Sequence, residues 1–266
     1  MPVNTPAMEY ATCVINDQLI IVTNRKIKNN TGKMTAILNK PTFKLLSYPL
    51  VNENKVGRPS LLPGIFIGNE SIGAVTFTSD GMRTFFTKVQ NGKQHLITAR
   101  KSHFHSGAWV NEELLDIIPA GFSIENPVVD PNDEFLYFSS DMPGGYGGFD
   151  IYQAKLLEEG KLGKPINLGS TINSSKDEKS PSLSRSGETI FFSSDRAGGL
   201  GGFDIYQTQI VESKYLPAKN MGSVINSKRN ELSFIPVSEQ SGYLSSDRNS
   251  LTTNLDIYYF YGRLDQ

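Results

Sequence analysis

The segment FSSDMPGGYGGFDIYQAKL at 138–156 returns as FSSDRAGGLGGFDIYQTQI at 192–210 and, worn down, as LSSDRNSLTTNLDIYYFY at 244–261. Asp150, Asp204 and Asp256 stand 54 and 52 residues apart, and Ser140, Ser194 and Ser246 repeat the same two intervals. A second shared piece lies upstream of each. NSSKDEKSPSLSRSGETIFFSSD (173–195) matches NSKRNELSFIPVSEQSGYLSSD (226–247) and SIENPVVDPNDEFLYFSSD (123–141). Two weaker copies precede these, IGAVTFTSDGMRTFFTK at 72–88 and MEYATCVINDQLIIVTNRK at 8–26. Five copies in 266 residues give a period of about 53.

Each copy reads as short β-rich segments separated by Gly, Asn, Asp and Ser turns. In the fourth, SPSLS is a first strand, RSGE a turn, TIFFSS a second strand and FDIYQTQI a third, with room for a fourth before Gly222. Four short strands per repeat of this length is the pattern of a propeller blade. Helical repeats need a 3.6-residue periodicity that the chain lacks, and hexapeptide solenoids need a far shorter period. The expectation is an all-β, five-bladed β-propeller of four-stranded antiparallel blades. It forms a single domain over 1–266, with repeats at about 4–60, 61–118, 119–172, 173–225 and 226–266. GAWVNEELLDII (107–118) is the one segment read as a helical turn. The last copy ends in LDIYYFYGRLDQ, which supplies a third strand but hardly a fourth, so the last blade is expected to be three-stranded or completed by a longer chain. Pro2 and Pro6 make the first eight residues a poor substitute.

Composition narrows the partners. A formal charge of −1 lacks the electrostatic footprint of nucleic-acid binding. No apolar run reaches the roughly 18 to 20 residues of a membrane span. The single cysteine, Cys13, rules out an intramolecular disulfide framework and reads as a structural thiol. No signal peptide is visible, so the chain is read as intracellular or as an excised segment of a longer product.

Several residues have types that could carry chemistry. GGYGG and GGLGG join two strands and lack the Lys-Ser or Lys-Thr of a phosphate loop, so they read as wide hairpins using Gly for positive φ. Asp141/Asp150, Asp195/Asp204 and Asp247/Asp256 bracket the hairpins. They are read as caps of local backbone N–H groups, with a calcium site as the alternative. His103 and His105 alternate as two metal ligands on one strand face would, yet no third ligand is indicated, so with His95 they read as surface histidines. TFTSDGMRTFF places Thr78, Asp80 and Thr84 near the positions of a glycosidase Asp-box, but Gly81 comes one place early. Nothing marks a carboxylate pair or a nucleophile elbow. No cofactor is expected.

In a propeller, the loop between second and third strands shares a face with the loop entering the first strand. The glycine hairpins and the NTPAME, NSSKDE and NSKRNE segments should therefore crowd one face. Glu9, Glu178 and Glu231 occupy equivalent positions there, as do Arg25, Arg196 and Arg248. They either pair between neighbouring blades and close the ring or, with the hairpin aspartates, form a polar face that recognises a protein or peptide.

SPSLSRSGETIFFSSDR followed by GGFDIY resembles the TolB-like, WD40-like β-propeller repeat. More narrowly, AVTFTSDGMRTFFTK, LYFSSDMPGGYGGFDIY and NMGSVINS are similar to the propeller module of OmpA-family envelope proteins of Bacteroidetes, PorE-like components associated with type IX secretion and gliding. The resemblance covers about residues 4–260. It implies a non-enzymatic scaffold for protein–protein interaction in the periplasm, associated with the outer membrane, whose partners are envelope proteins. Peptidoglycan would be reached only through a domain this chain lacks. The chain departs from that pattern at Ile72, where the family often has Glu, and in DRNSLTTNLD, which keeps no glycine. A glycan-binding or glycan-cleaving propeller is the competing expectation.

Overall fold

The computed structural model describes residues 3–25, 42–67, 70–102, 107–249 and 254–262. Its strands form five separate antiparallel sheets in chain order, the blades of a five-bladed propeller. Blade 1 holds β1 (Glu9–Ile15), β2 (Gln18–Thr23) and β3 (Lys44–Asn52), with β4 (Lys55–Val56) and β5 (Ser60–Leu61) both paired to β3. Blade 2 holds β6 (Ile72–Phe77), β7 (Arg83–Gln90), β8 (Lys93–Lys101) and β9 (Trp109–Leu114). Blade 3 holds β10 (Ile124–Val129), β11 (Phe135–Ser140), β12 (Asp150–Lys155) and β13 (Ile166–Asn167). Blade 4 holds β14 (Glu178–Leu183), β15 (Thr189–Ser194), β16 (Asp204–Val211), β17 (Lys214–Tyr215) and β18 (Lys219–Asn220). Blade 5 has three strands, β19 (Glu231–Ser238), β20 (Ser241–Ser246) and β21 (Asp256–Tyr261).

The core is divided into five clusters, each lying between two neighbouring blades. Phe191 and Ile205 of blade 4 pack on Phe234 and Leu244 of blade 5. Ala11 and Ile21 of blade 1 pack on Tyr243 and Ile257 of blade 5, across the junction of the chain's two ends. A second strand therefore has apolar neighbours on both sides. That is why QLIIVT and TIFFSS are buried along nearly their whole length and show no in–out alternation. A side chain such as Phe234 contributes about 1.5–3 kcal/mol by such burial.

The innermost strands β1, β6, β10, β14 and β19 pair on one side and turn a free edge to the central channel. All five carry a register break at a corresponding place, for example between Lys179 and Ser182 in β14 and between Glu125 and Val128 in β10. In β10 and β14 the extra residue, Asn126 or Ser180, takes a positive φ of 51° or 52° and is followed by a proline. A free edge tolerates proline because no ladder bond is lost there, and bulges protect such edges from pairing with another chain.

The segment at 107–118 departs from its expected helical turn. Trp109–Leu114 forms β9, pairing β8 with Lys101 opposite Trp109 and Ile97 opposite Leu114. The outer edge of β8 presents backbone groups that a strand satisfies and a helix would not. Asn111, at φ 56°, supplies the irregularity between the Thr98 and Arg100 pairings. Trp109 anchors the strand, its ring 5.1 Å from that of Phe77. The helical turn of blade 4 falls instead at Gly222–Ile225.

The linker between blades 3 and 4 is held by Asn173, whose side chain accepts from Ile151 N–H at 2.8 Å and donates to Ile151 C=O at 3.0 Å. Asn226 does the same to Ile205, at 2.7 and 3.0 Å. Asn4 repeats it across the ends of the chain, accepting from Ile257 N–H at 2.9 Å and donating to Ile257 C=O at 3.1 Å. The ring is thus closed by the same linker clamp used inside it, reinforced by Glu9 N–H donating to Leu255 C=O at 2.9 Å. Replacing Asn4 by Ala leaves a strand N–H and C=O without their partner, so Asn4→Ala should lower unfolding free energy by about 1–3 kcal/mol. Chemical denaturation checks this, and an unchanged midpoint would reject the closure.

Candidate functional site

The glycine hairpins and linkers meet on one face, as their positions in the repeat require. Gly148 N–H donates to Lys176 C=O at 3.2 Å and Gly202 N–H to Arg229 C=O at 3.0 Å. Gly144 and Gly198 use positive φ, 92° and 91°, as expected of hairpin glycines. Gly147 and Gly201 are there for a different reason, close approach to the next blade's linker. A Cβ on Gly147 would stand 2.6 Å from Ser174 O and closer still to Lys176 O, and Gly201 has the same relation to Ser227 and Arg229.

The three glutamates of this face are fully buried. Glu178 accepts from Ser174 N–H at 2.7 Å, from the hydroxyls of Ser174 and Ser194 at 2.6 and 2.7 Å, and from Arg196 at 3.0 Å. Glu231 is held likewise by Ser227, Ser246 and Arg248, the last at 3.1 Å. Arg196 and Arg248 also donate to the linker carbonyls of Ile172 and Ile225. Glutamate and arginine of each pair belong to the same blade, which corrects the expectation that they pair between neighbours. The reason is register: Glu178 lies opposite Ser194, two residues before Arg196.

Glu9 keeps the threonine version of this cradle, with Thr5 and Thr23, while Arg25 donates to Tyr48 Oη. Burial pushes the Glu9 carboxyl above its usual range, and the Thr5 and Thr23 bonds and the Arg25 charge only partly offset it. A raised carboxyl favours the protonated fold. Its contribution is greatest below the ordinary carboxylate pKa and declines as pH rises through the raised value.

Five of the six hairpin aspartates are caps. Asp150 accepts from Tyr146 N–H at 2.6 Å, Gly147 N–H at 3.0 Å and Asn167 Nδ2 at 2.7 Å. Asp204 repeats this with Leu200, Gly201 and Asn220 at 2.6, 3.1 and 2.8 Å. Asp141, Asp195 and Asp247 each accept a backbone N–H from the start of their own blade, from Ser123, Asp177 and Asn230 at 2.6, 2.9 and 2.8 Å. Burial pushes Asp141 up, but Lys93 at 2.9 Å and the Ser123 N–H outweigh it, so its carboxyl lies below the usual range. Asp256 opens β21 opposite Ser246.

What the face exposes is different. The middle residue of each GGxGG, Tyr146 and Leu200, is 52% and 43% exposed at the hairpin tip. Lys176 and Arg229 stand exposed on the adjoining linkers. Inside the ring on this face lies a cavity of about 300 Å³ with mainly apolar walls, including Met8, Phe43, Leu232 and Leu255. Lys179 bonds Glu125 at 3.2 Å beside it and sits 3.6 Å from the centre of the Phe149 ring. Deeper in, Tyr10 Oη donates to Ser180 Oγ at 2.7 Å and accepts from Asn126 Nδ2 at 2.8 Å, linking three blades across the channel. Burial pushes the Tyr10 hydroxyl up to about 12.

The opposite mouth is a larger cavity of about 580 Å³. Its wall includes Cys13, whose thiol burial raises to about 12, and Asp130, whose carboxylate caps its own turn through the N–H groups of Glu134 and Phe135, both at 2.7 Å. The Asp-box-like segment is a turn beside that mouth. Thr78 Oγ1 donates to Asp80 at 2.6 Å, and this bond with that from Met82 N–H holds the Asp80 carboxyl below its usual range. His95 lies in β8 opposite Lys88. His103 and His105 lie outside the described residues.

No protein-family profile matches the chain, and no curated protein does. Solved structures do. A putative TolB from Agrobacterium tumefaciens aligns with TM-score 0.55 and 14% identity, over 97% of this chain and 83% of that one. A puromycin hydrolase aligns with TM-score 0.53 and 12% identity, over 95% of this chain but 37% of that one. A TolB from Acinetobacter baumannii aligns with TM-score 0.49 and 14% identity, over 93% of this chain, which spans about half, 53%, of its length. The chain shares the fold of TolB-like propellers, and propellers of that kind occur in proteins as different as a TolB and a hydrolase.

The buried cradles and the exposed tips should respond oppositely to substitution. Glu178→Ala removes the buried acceptor shared by Arg196, the Ser174 N–H and two hydroxyls and should cost about 3 kcal/mol. Lys176→Ala, two residues away, should stay within about 0.5 kcal/mol. Paired thermal and denaturant unfolding measures both; equal effects would contradict the burial of Glu178.

Proposed function

We propose that this chain is a non-enzymatic propeller module that binds a protein partner through its hairpin face. The observation that carries this is the build of the glycine hairpins. Their backbones are pinned by buried carboxylates, and their tips present Tyr146 and Leu200 to solvent beside Lys176 and Arg229. Rigid presentation of exposed apolar side chains with a basic surround suits a protein surface, since little conformational entropy is lost on binding. Glu9, Glu178, Glu231, Asp150 and Asp204 serve this face as its framework, and the exposed tips and linkers make the contact.

The series of repeat motifs resembling OmpA-family envelope proteins supports placing this module in the periplasm of a Gram-negative cell, near the outer membrane, in a type IX secretion-associated assembly. Likeness in fold to TolB structures is in keeping with that compartment. A glycan-cleaving alternative would need two carboxylates facing one cavity. Among the described residues lining the two mouths, each has one: Asp130 capping its own turn, and Glu125 paired with Lys179.

Tyr146→Asp combined with Leu200→Asp changes only exposed tips, so the fold should persist while capture of envelope proteins falls at least tenfold. Quantitative pull-down from envelope extract, compared with an Asp substitution at Ser186 on the opposite face, measures this. Equal capture by all three proteins would overturn the assignment of the face.

A further inference from the structure

The hairpin face keeps its negative charge inside and turns its positive charge outward. Two hairpins, 142–149 and 196–203, and two linkers, 168–178 and 221–231, make up this face in blades 3 to 5. Of their carboxylates, Glu178 and Glu231 are fully buried in the cradles, and Asp177 is half-buried, accepting from Phe149 N–H at 2.9 Å. The flanking Asp141, Asp150, Asp195 and Asp204 are buried or half-buried, each on a backbone N–H. The exposed charged residues of the four segments are Lys176, Lys228 and Arg229, all positive. Among the described residues, no carboxylate lies within ion-pair distance of these three. With a formal charge of −1 for the whole chain, this is local segregation and not general basicity.

Each hairpin tip stands against one of the linkers. The Gly148 bond to Lys176 C=O puts Tyr146 and Lys176 at one site, and the Gly202 bond to Arg229 C=O puts Leu200 with Lys228 and Arg229 at a second. The two sites are equivalent positions on neighbouring blades, but their charge differs. SSKDE (174–178) carries a formal −1 and SKRNE (227–231) a formal +1, because Lys228 replaces Ser175 and Asn230 replaces Asp177. Asn230 keeps the bond that Asp177 makes, accepting from Phe203 N–H at 3.1 Å, without the charge. The Leu200 site is therefore the more positive by two charges.

Resting on the assignment of the hairpin face above, we propose that the partner engages it through an acidic segment carrying two apolar residues, each flanked by Asp or Glu. One apolar side chain meets Tyr146 beside Lys176, and the other meets Leu200 beside Lys228 and Arg229. Unpaired cations on a fixed frame attract such a segment and repel a basic one. The Arg229 guanidinium can take a carboxylate in two parallel hydrogen bonds. Exposed ion pairs alone contribute little, so the charges select the segment and the apolar contacts hold it. Three cations make too small a footprint for a polyphosphate backbone.

The probe is the peptide Gly-Ser-Asp-Leu-Glu-Ser-Gly-Ser-Asp-Leu-Glu, titrated into the isotope-labelled whole protein and followed by NMR, which detects weak binding. Saturable shifts are expected in 144–148 and 198–202. Affinity should fall about fivefold or more when the peptide's Asp and Glu become Asn and Gln, and likewise when both Leu become Ser. Lys228→Glu with Arg229→Glu should cost about as much, and Lys176→Glu less. All three protein substitutions are at exposed positions, and thermal unfolding checks that the fold is unchanged. Absence of saturable binding, equal binding of the neutral peptide, or indifference to Lys228→Glu with Arg229→Glu would each overturn the proposal. So would tighter binding of phosphatidylglycerol vesicles or an oligo-dT strand with the same dependence on those two residues, which would give the patch to lipid or nucleic acid. The underlying face fails separately, if Tyr146→Asp with Leu200→Asp leaves capture of envelope proteins unchanged. If that pair abolishes capture while Lys228→Glu with Arg229→Glu leaves it intact, the face stands and the acidic partner falls.

Discussion

A single asparagine that grips both backbone groups of one isoleucine is the contact on which the ring depends. No blade buries its own faces, since each core cluster is shared between neighbours, so stability requires that every sheet be held at the right distance and angle to the next. Hydrophobic contact alone is non-directional and does not set that angle. At three of the five junctions a clamp does: Asn173, Asn226 and Asn4 each tie the segment leading into one blade to the third strand of the blade before it, at the same pair of backbone atoms. Because the third instance joins residues 253 positions apart, closure is no weaker in kind than any internal junction.

Around each clamp the interior holds charge, which an apolar core would ordinarily exclude. The carboxylates of Glu178 and Glu231 are tolerable because each is surrounded by hydroxyl, amide and guanidinium donors. Their placement lets one side chain collect the linker, the second strand and the arginine at a single point. Glu9 has the cradle without a direct guanidinium bond, and burial raises its carboxyl. Blades 2 and 3 start instead with Ile72 and Ile124, and blade 3 relies on Asp141 to fix Ser123.

The repeat spacing carried the architecture, down to the three-stranded last blade, because a period near 53 with hairpin signals leaves few alternatives. The segment at 107–118 misled because its apolar spacing is local while its hydrogen-bond partners, in β8, are not. The pairing of the charged residues escapes the sequence for a related reason. Sequence shows that Glu178 and Arg196 recur with the repeat, but not that strand register brings them together inside one blade. The glycines of GGYGG were half understood: Gly144 answers to positive φ, whereas Gly147 answers to a carbonyl in the next linker that no local pattern reveals. Tyr146 and Leu200 stand between the glycines, and the burial of the capping aspartates leaves them as the exposed side chains of the loop. Tyr10, Asn126 and Ser180 left a fainter trace, the Asn-Pro and Ser-Pro steps in strands that otherwise read as continuous.

The same design leaves the tips, rather than the recurring charges, free to meet a partner. A residue whose bonds are all used inside a blade has none to offer a partner, and substituting it damages the frame before it alters any contact. The hairpin tip is the reverse case. Asp150 fixes the main chain on either side of Tyr146, yet the ring itself is left in solvent, and Leu200 repeats this one blade on with a different side chain. Conservation of the frame and divergence at the tip are therefore physically separable within each repeat. A propeller built this way can change two or three tip residues while every clamp and cradle stays as it is.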